Sequence, residues 1–415
     1  MRARLVSVGT ELVLGQTVDT NSAWLAQRLA ERGIETISHE TVSDDTEPIR
    51  DAIARAARDT DCVIVTGGLG PTDDDLTRHA LAAAMNAELI EDAAALSQIE
   101  AFFQRRGIPM PDANRRQALA PRGATLIENR RGTAPGLAAT IGQATVFALP
   151  GVPGEMKAMF ERDVAPALRA RAGAAVILQT VIRTFGAPES QIGQQIADLM
   201  VRGRNPTVGT TAADLIIGVR INARGRTPEE ARDLMRRDAD EVRRRLGRIV
   251  FGEDDDTLQD AVAEYLWSSG RTVATAESCT GGLIARRLTD VSGSSRYFKA
   301  GFVAYANEMK TSLLGVPADL LAARGAVSRE VAEAMALGGR VRAAADYCLS
   351  ATGIAGPTGG SSDKPVGLVF IGLASAAGCL VRETRFGDHL SRTEIRDRTA
   401  KLSLNMLRLA LMEHD

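Results

Sequence analysis

Short apolar runs that end in glycine-rich turns, each followed by an amphipathic stretch, recur through the first 170 positions. RLVSVG (4–9) predicts a strand. TNSAWLAQRLAERG (20–33) predicts a helix with Asn21 or Ser22 near its cap and Gly33 at its end. ETISHETVS predicts a second strand, and TEPIRDAIARAARD a helix with Pro48 in its first turn. DCVIVTGGLG (61–70) reads as a buried strand breaking into a glycine turn, and ATVFALPGVPGEM (144–156) repeats the device with a Gly-Pro turn. This rhythm predicts a parallel sheet with helices on both faces and ligands at the carboxyl ends of its strands.

Between about 171 and 252 the rhythm changes. VILQTVIRTFG and LIIGVRINARG alternate like strands, whereas ESQIGQQIADLM and TPEEARDLMRRDADEVRRRLG have helical spacing. GEDDDTLQDAV then feeds a helix capped by Asp256 or Thr257. From there the α/β pattern resumes: strand RTVATA, a turn, a helix (281–290), strand-like YFKAGFVAYAN, helices around 308–314 and 328–343, and strand YCLSATG. A glycine-rich loop, strands VGLVFIGLAS and CLVRETRF, and a final helix from about 391 to 413 complete the chain. The fold class expected is multi-domain α/β: two α/β domains with mostly parallel sheets (1–170 and 253–415), joined by a small α+β module (171–252).

Composition narrows the chemistry. A chain of 415 residues exceeds one ordinary core, in line with two or three domains. The net charge of -2 gives no generally basic surface, so nucleic acid is not expected as a partner. The four cysteines (62, 279, 348, 379) form no CxxC, which argues against a zinc knot or a disulfide framework. No pair among the four histidines has ligand spacing, so any metal must rely on carboxylates and phosphate oxygens. MRARLVSVGTELVLG lacks a long apolar leader, and no run approaches the roughly 20 apolar residues of a membrane span. A cytoplasmic protein with no membrane partner is expected.

The densest signal of the first domain is TGGLGPTDDDLT (66–77). Gly67, Gly68 and Gly70 let the backbone approach a ligand, and the following helix offers N–H groups to phosphate. Asp73, Asp74 and Asp75 exceed what a helix cap needs and point to Mg²⁺-assisted phosphate chemistry. LPGVPGEM reads equally as a second phosphate turn or as a tight strand exit. Together with VGTELVLGQTVDTN, these motifs resemble the molybdopterin-binding (MoaB/Mog-like) domain in the form that begins proteins of the CinA (competence/damage-inducible) family. The resemblance covers about residues 1–170. It implies a pyrophosphate-containing ligand and metal-dependent hydrolysis of ADP-ribose, with a divalent Mg-type metal. By that resemblance Gly67, Gly68, Gly70 and Thr72 line the diphosphate and Asp73 and Asp74 lie near the metal. Gly9, Glu11, Asn21 and Gly151 border the same cleft.

In CinA proteins the middle region resembles a KH-type fold. RNA-binding KH domains clamp the backbone with a GxxG loop, and no GxxG occurs between 171 and 252. The arginines at 236, 237, 243, 244, 245 and 248 alternate with Asp238, Asp240 and Glu241, the pattern of a solvated helix laced with ion pairs. A spacer or dimer contact is the role expected, and a homodimer the state.

In the last domain Ser278 follows a strand and precedes Gly281–Gly282 and a helix. The turn AESCTGG therefore either aims a hydroxyl at substrate or binds an anion. Alone it would read as a helix cap; a serine nucleophile needs a base. His389 and His414 are weak candidates, whereas Lys310 in VAYANEMK offers a Ser–Lys pair. SATGIAGPTGGSSDKPVG (350–367) has the glycines of an oxyanion or phosphate nest, with Thr352 at the strand end. AESCTGGLIARRLTDVSGSSRYFKAGFVAYANEMK, GAVS (325–328), SATGIAGPTGG and KPVGLVFIGLA resemble, in order and spacing, the C-terminal CinA domain of the PncC nicotinamide-nucleotide amidases.

That resemblance implies hydrolysis of nicotinamide mononucleotide to nicotinate mononucleotide and ammonia, with no cofactor. It places functional roles on Ser278, Ser295, Tyr305, Lys310, Thr352 and Arg392, with Thr280, Gly281, Gly282, Gly353 and Gly356 around the substrate. FGDHLSR carries two residues more than the GDR usual there, so Arg392 is assigned by counting back from RTEIR. Lys310 is the expected base, Thr352 and loop amides steady the oxyanion, and an arginine or the Gly281–Gly282 helix start holds the phosphate. Either Ser278 or Ser295 attacks. The competing expectation is a non-catalytic nucleotide sensor in a competence or DNA-damage response.

Overall fold

A computed structural model describes residues 1–172 and 176–413; His414 lies outside them. The chain forms two compact units, Met1–Leu178 with Asn222–Arg236, and Gln179–Ile221 with Arg237–Asp415. None of the described helices is long and apolar enough to cross a membrane.

In the first unit β1 (Arg2–Val8), α1 (Thr10–Val13), α2 (Thr20–Ala30), β2 (Glu35–Val42), α3 (Thr46–Ala57), β3 (Cys62–Thr66) and α4 (Thr77–Met85) follow the predicted alternation. A small ribbon of β4 (Leu89–Glu91) and β5 (Leu119–Pro121) brackets α5 (Ala93–Gln104). β6 (Thr125–Ile127), β7 (Gly136–Ile141), β8 (Ala144–Leu149), α6 (Pro153–Met159) and α7 (Ala165–Ala172) complete it. The sheet order is β2-β1-β3-β8-β7-β6, parallel through β8 and antiparallel beyond. Successive strand residues face opposite sides: Val6, Val63 and Val146 pack with Ile49 and Ile53 on one face. Leu5, Ile64 and Phe147 pack with Leu25, Leu29 and Met156 on the other. The cap of α2 is Asp19, which accepts from the Ser22 amide at 2.9 Å, rather than Asn21 or Ser22 themselves.

The middle region contains β9 (Val176–Phe185), α8 (Glu189–Gln195), β10 (Thr207–Ala213), β11 (Ile216–Gly225), α9 (Pro228–Leu246) and β12 (Val250–Glu253), with sheet order β10-β11-β9-β12. The charged face of α9 carries ion pairs, as its sequence pattern predicts: Arg243 with Asp240 at 2.8 Å and Arg244 with Glu241 at 2.6 Å.

In the second unit α10 (Leu258–Ser269) starts from a capping box of Thr257 and Asp260. β13 (Val273–Glu277), α11 (Leu283–Thr289), β14 (Phe298–Val303), α12 (Asn307–Leu314), α13 (Ala318–Arg324), α14 (Arg329–Ala343) and β15 (Tyr347–Gly353) follow. β16 (Leu368–Ser375), β17 (Gly378–Arg385) and α15 (Arg392–Met412) end the fold. The sheet order is β14-β13-β15-β16-β17; β13 runs parallel to both neighbours, while β16 and β17 are antiparallel additions. One face is covered by α14, the other by α10, α11 and α15. Phe185, Ile216 and Phe251 join that second core, so the sequence boundary at 252/253 falls inside a packed interior.

Candidate active site

At the carboxyl end of β13 the chain turns through Ser278–Gly282 into α11. The Ser278 amide donates to the Ala351 carbonyl at 2.9 Å, which ties the turn to the end of β15. Gly281 and Gly282 have φ of 59° and 90°, the left-handed region where a side chain costs strain. The buried Glu277 carboxylate accepts from the Ile284 and Ala285 amides at 3.0 and 2.8 Å. The start of α11 is thus filled by the protein's own anion, and the expected phosphate site at the Gly281–Gly282 helix start is not open. Thr280 is fully buried, its hydroxyl unpartnered, and its carbonyl accepts from Arg396 at 2.7 Å, so it supports the turn from below. Burial pushes the Cys279 thiol up to about 12, so it stays protonated at neutral pH and is a poor nucleophile.

β14 ends beside Ser278, and Tyr305 and Lys310 follow it. Lys310 is 1% exposed, and its ammonium donates to the Tyr305 carbonyl at 2.9 Å. Burial pulls its pKa below the ordinary lysine value of 10.5, and Cys279 of the Ser278 turn lies near it. The Tyr305 hydroxyl accepts from Arg392 at 2.9 Å, and Arg392 also donates to the Gly356 carbonyl at 3.0 Å. Lys310, Tyr305, Arg392 and the 354–367 loop therefore form one connected network, with the resemblance-based position of Arg392 inside it. Arg396, one turn further along α15, is a residue the sequence reading missed. Neither Arg392 nor Arg396 pairs with a carboxylate among the described residues.

Two expected residues sit differently. Ser295 lies in a short 3₁₀ turn before β14, and β14 pairs parallel with β13 from Val273↔Phe298 to Glu277↔Val303. Ser295 is thus at the amino end of the sheet, a strand length of roughly 16 Å or more from the Ser278 end. Closeness in sequence to Lys310 misled because β14 carries the chain from one end to the other. Thr352 is buried and donates its hydroxyl hydrogen to the Ala326 carbonyl at 2.8 Å, which spends the proton an oxyanion would need. A side chain at Gly353 would meet the Leu368 carbonyl at 2.7 Å, and one at Gly356 the Val366 side chain at 2.7 Å; these glycines permit the close packing of β16 and the loop.

In the first unit a cleft of about 470 Å³ opens at the carboxyl ends of the adjacent strands β1 and β3, which are flanked on opposite sides by β2 and β8. This is the switch point of an open α/β sheet. Gly9, Glu11, Asp44, Gly67, Gly68, Gly70, Thr72 and Gly151 line it, and Asn21 holds the Gly151 carbonyl at 2.8 Å. Gly67 has φ of 100°, and any side chain there would collide with the Val8 carbonyl. The acid run serves three different ends. Asp75 accepts from the Gly70 and Thr72 amides at 2.6 and 2.8 Å, so it holds the loop closed. Asp74 lines the cleft, its carboxyl lowered by the Thr72 hydroxyl. Asp73 points to solvent and pairs with Arg116 at 2.7 Å, which takes it out of the expected metal site. The three acids do not open the helix, because α4 begins only at Thr77.

Three family models match the chain: a probable molybdopterin binding domain at 4–170, a damage-inducible protein CinA KH domain at 179–252, and a CinA C-terminal domain at 255–411. A CinA-like protein of Geobacter sulfurreducens is 46% identical over 414 residues, covering 99% of this chain and 100% of the relative. The chain belongs to the CinA family. A putative competence-damage inducible protein of Symbiobacterium thermophilum is 43% identical over 99% of both chains. Among solved structures, the competence/damage inducible protein CihA from Agrobacterium tumefaciens is 44% identical, covering 38% of this chain and 97% of that one, with a TM-score of 0.36. Glu277 and Arg396 belong to the candidate site by their hydrogen bonds, and motif reading gave neither a role. The signal for Arg396 was its i,i+4 spacing from Arg392; Glu277 gave none, because a carboxylate at a strand end reads as solvent-facing.

Proposed function

We propose that the second unit hydrolyses the carboxamide of nicotinamide mononucleotide to nicotinate mononucleotide and ammonia. The observation that carries this reading is the buried Lys310 at the carboxyl end of the sheet, linked through Tyr305 to Arg392. The Ser278 hydroxyl attacks the carboxamide carbon while Lys310, as the neutral amine, takes its proton. The C–N bond breaks as Lys310 returns that proton to the departing ammonia. Water then hydrolyses the ester on Ser278, releasing the nicotinate carboxyl. Arg392 and Arg396, which lack carboxylate partners among the described residues, suit the phosphate better than the blocked start of α11. Incubation of the whole protein with nicotinamide mononucleotide should release ammonia and nicotinate mononucleotide in equal amounts, with a chelator present. Binding without turnover would favour the sensor reading instead.

A second reaction, metal-dependent hydrolysis of ADP-ribose, is supported by the charge of the first unit's cleft. Five carboxylates line it (Glu11, Asp44, Asp74, Asp75, Glu155) and no described lysine, arginine or histidine does. A diphosphate would be repelled there unless a hard cation joined it. Among the described residues no group of three or more His, Cys, Asp or Glu side chains is disposed to hold a metal alone. That donor set fits a cation shared between one or two carboxylates and phosphate oxygens, the habit of Mg²⁺. Asp74, with Glu11 and Glu155 on the same lining, would hold it, and the cation would offset the diphosphate charge. ADP-ribose cleavage should therefore require added divalent metal, fall at least tenfold in Asp74→Ala and persist in Asp73→Ala. Equal loss in both variants would contradict this assignment.

A further inference from the structure

Beyond the proposed sites, the second unit holds a cavity of about 770 Å³ among the end of β9, the turn before β12, the edge strand β17 and the last turns of α15. Its charged lining is four arginines (Arg248, Arg329, Arg382, Arg408) against Glu383 and Glu413. Both acids are already committed, Glu413 to Arg248 at 2.9 Å and Glu383 to Arg385 at 2.9 Å. Arg329 donates to the Val381 carbonyl at 2.7 Å, and Arg382 is exposed with no hydrogen bond or ion pair to any described residue. Arg408 is only 1% exposed, yet its guanidinium meets neutral acceptors alone: Asn405 Oδ1, the carbonyls of Val250 and Arg248, and the Met412 sulfur. Buried charges are ordinarily paired, since an uncompensated one costs several kcal/mol. Arg408 is thus a buried charge without a counter-ion among the described residues, and the exposed Arg329 and Arg382, on the same lining, have no carboxylate partner among them either. Phe185, Leu380, Met406 and Leu409 supply an apolar wall beside them.

We infer that this cavity is a binding site for a small organic phosphate with a flat aromatic ring, of mononucleotide size, with Arg329 and Arg382 taking the phosphate and the apolar wall taking the face of the ring. The phosphate completes the charge that Arg408 leaves open, and guanidinium groups match phosphate oxygens in pairs. The volume lies within the usual range for small-molecule sites. This assignment does not depend on either proposed reaction, because it uses none of their residues.

The test is isothermal titration of the full chain with adenosine monophosphate and, separately, with inorganic phosphate. Wild type, Arg382→Glu and Arg382→Lys are compared; Arg382 makes no internal contact that its loss would break. The expected result is a class of adenosine monophosphate sites that Arg382→Glu weakens roughly tenfold or more and Arg382→Lys weakens less. Inorganic phosphate should bind there more weakly than the nucleotide, and added salt should weaken both. Affinity unchanged by Arg382→Glu would overturn the site. Equal affinity for phosphate and nucleotide would overturn the apolar half of the assignment.

Discussion

Lys310 shows how far a single side chain's state departs from its sequence. A lysine in the first turn of a helix reads as solvated; here α12 tucks it against the sheet, and burial lowers its pKa. The sign follows: burial penalises the ammonium, so the neutral amine forms at lower pH than in free lysine. Amidase kcat/KM should rise with pH and level off above the depressed Lys310 pKa, short of 10.5; a flat profile over that limb would remove Lys310 as the base. Lys310→Met should abolish ammonia release while raising unfolding stability by about 1 kcal/mol, because an apolar group replaces a buried charge without a carboxylate partner. A fall in stability with activity retained would mark a purely structural lysine. Lys310, Tyr305 and Arg392, singled out from separate motifs, lie in one hydrogen-bonded network. The motifs could not report that Thr352 spends its proton on Ala326 or that Asp73 turns to Arg116, since both depend on partners more than 25 residues distant.

At the scale of elements, the chemistry rests on how strands end. β3 and β13 both finish in glycine turns, and in both a carboxylate occupies backbone amides that a sequence reading leaves for phosphate: Asp75 in the first, Glu277 in the second. The strands were legible because apolar runs stop at glycine. The self-capping was not, because the acids are local groups indistinguishable in sequence from ligand-facing ones. Glu277→Gln removes one acceptor and sets an NH₂ against a buried N–H, so it should cost about 1–3 kcal/mol, read by urea unfolding. A loss below about 0.5 kcal/mol, within the range of ordinary surface substitutions, would deny the cap its structural role. β16 and β17 add antiparallel pairs to the expected mostly parallel sheet: the tight link from Ser375 to Gly378 can join only antiparallel neighbours, whereas the long loop from Gly353 to Leu368 left the direction of β16 open.

At the scale of the molecule, the three-part order of the sequence is retained while the packing forms two units. The middle region shares its core with the C-terminal sheet through Phe185, Ile216 and Phe251. The two proposed reactions use separate residues, so Ser278→Ala should leave metal-dependent ADP-ribose cleavage intact and Asp74→Ala should leave ammonia release intact. In the proposed reaction Ser278, at the carboxyl end of β13 with Lys310, attacks the amide. The most direct measurement is ammonia release from nicotinamide mononucleotide by the full chain with a chelator present, comparing wild type, Ser278→Ala and Ser295→Ala. The account predicts turnover in wild type, at least a hundredfold loss in Ser278→Ala, in the range typical of a lost nucleophile or its base, and near-normal rates in Ser295→Ala. Loss confined to Ser295→Ala would contradict it, because within one chain Ser295 lies at the opposite end of the sheet.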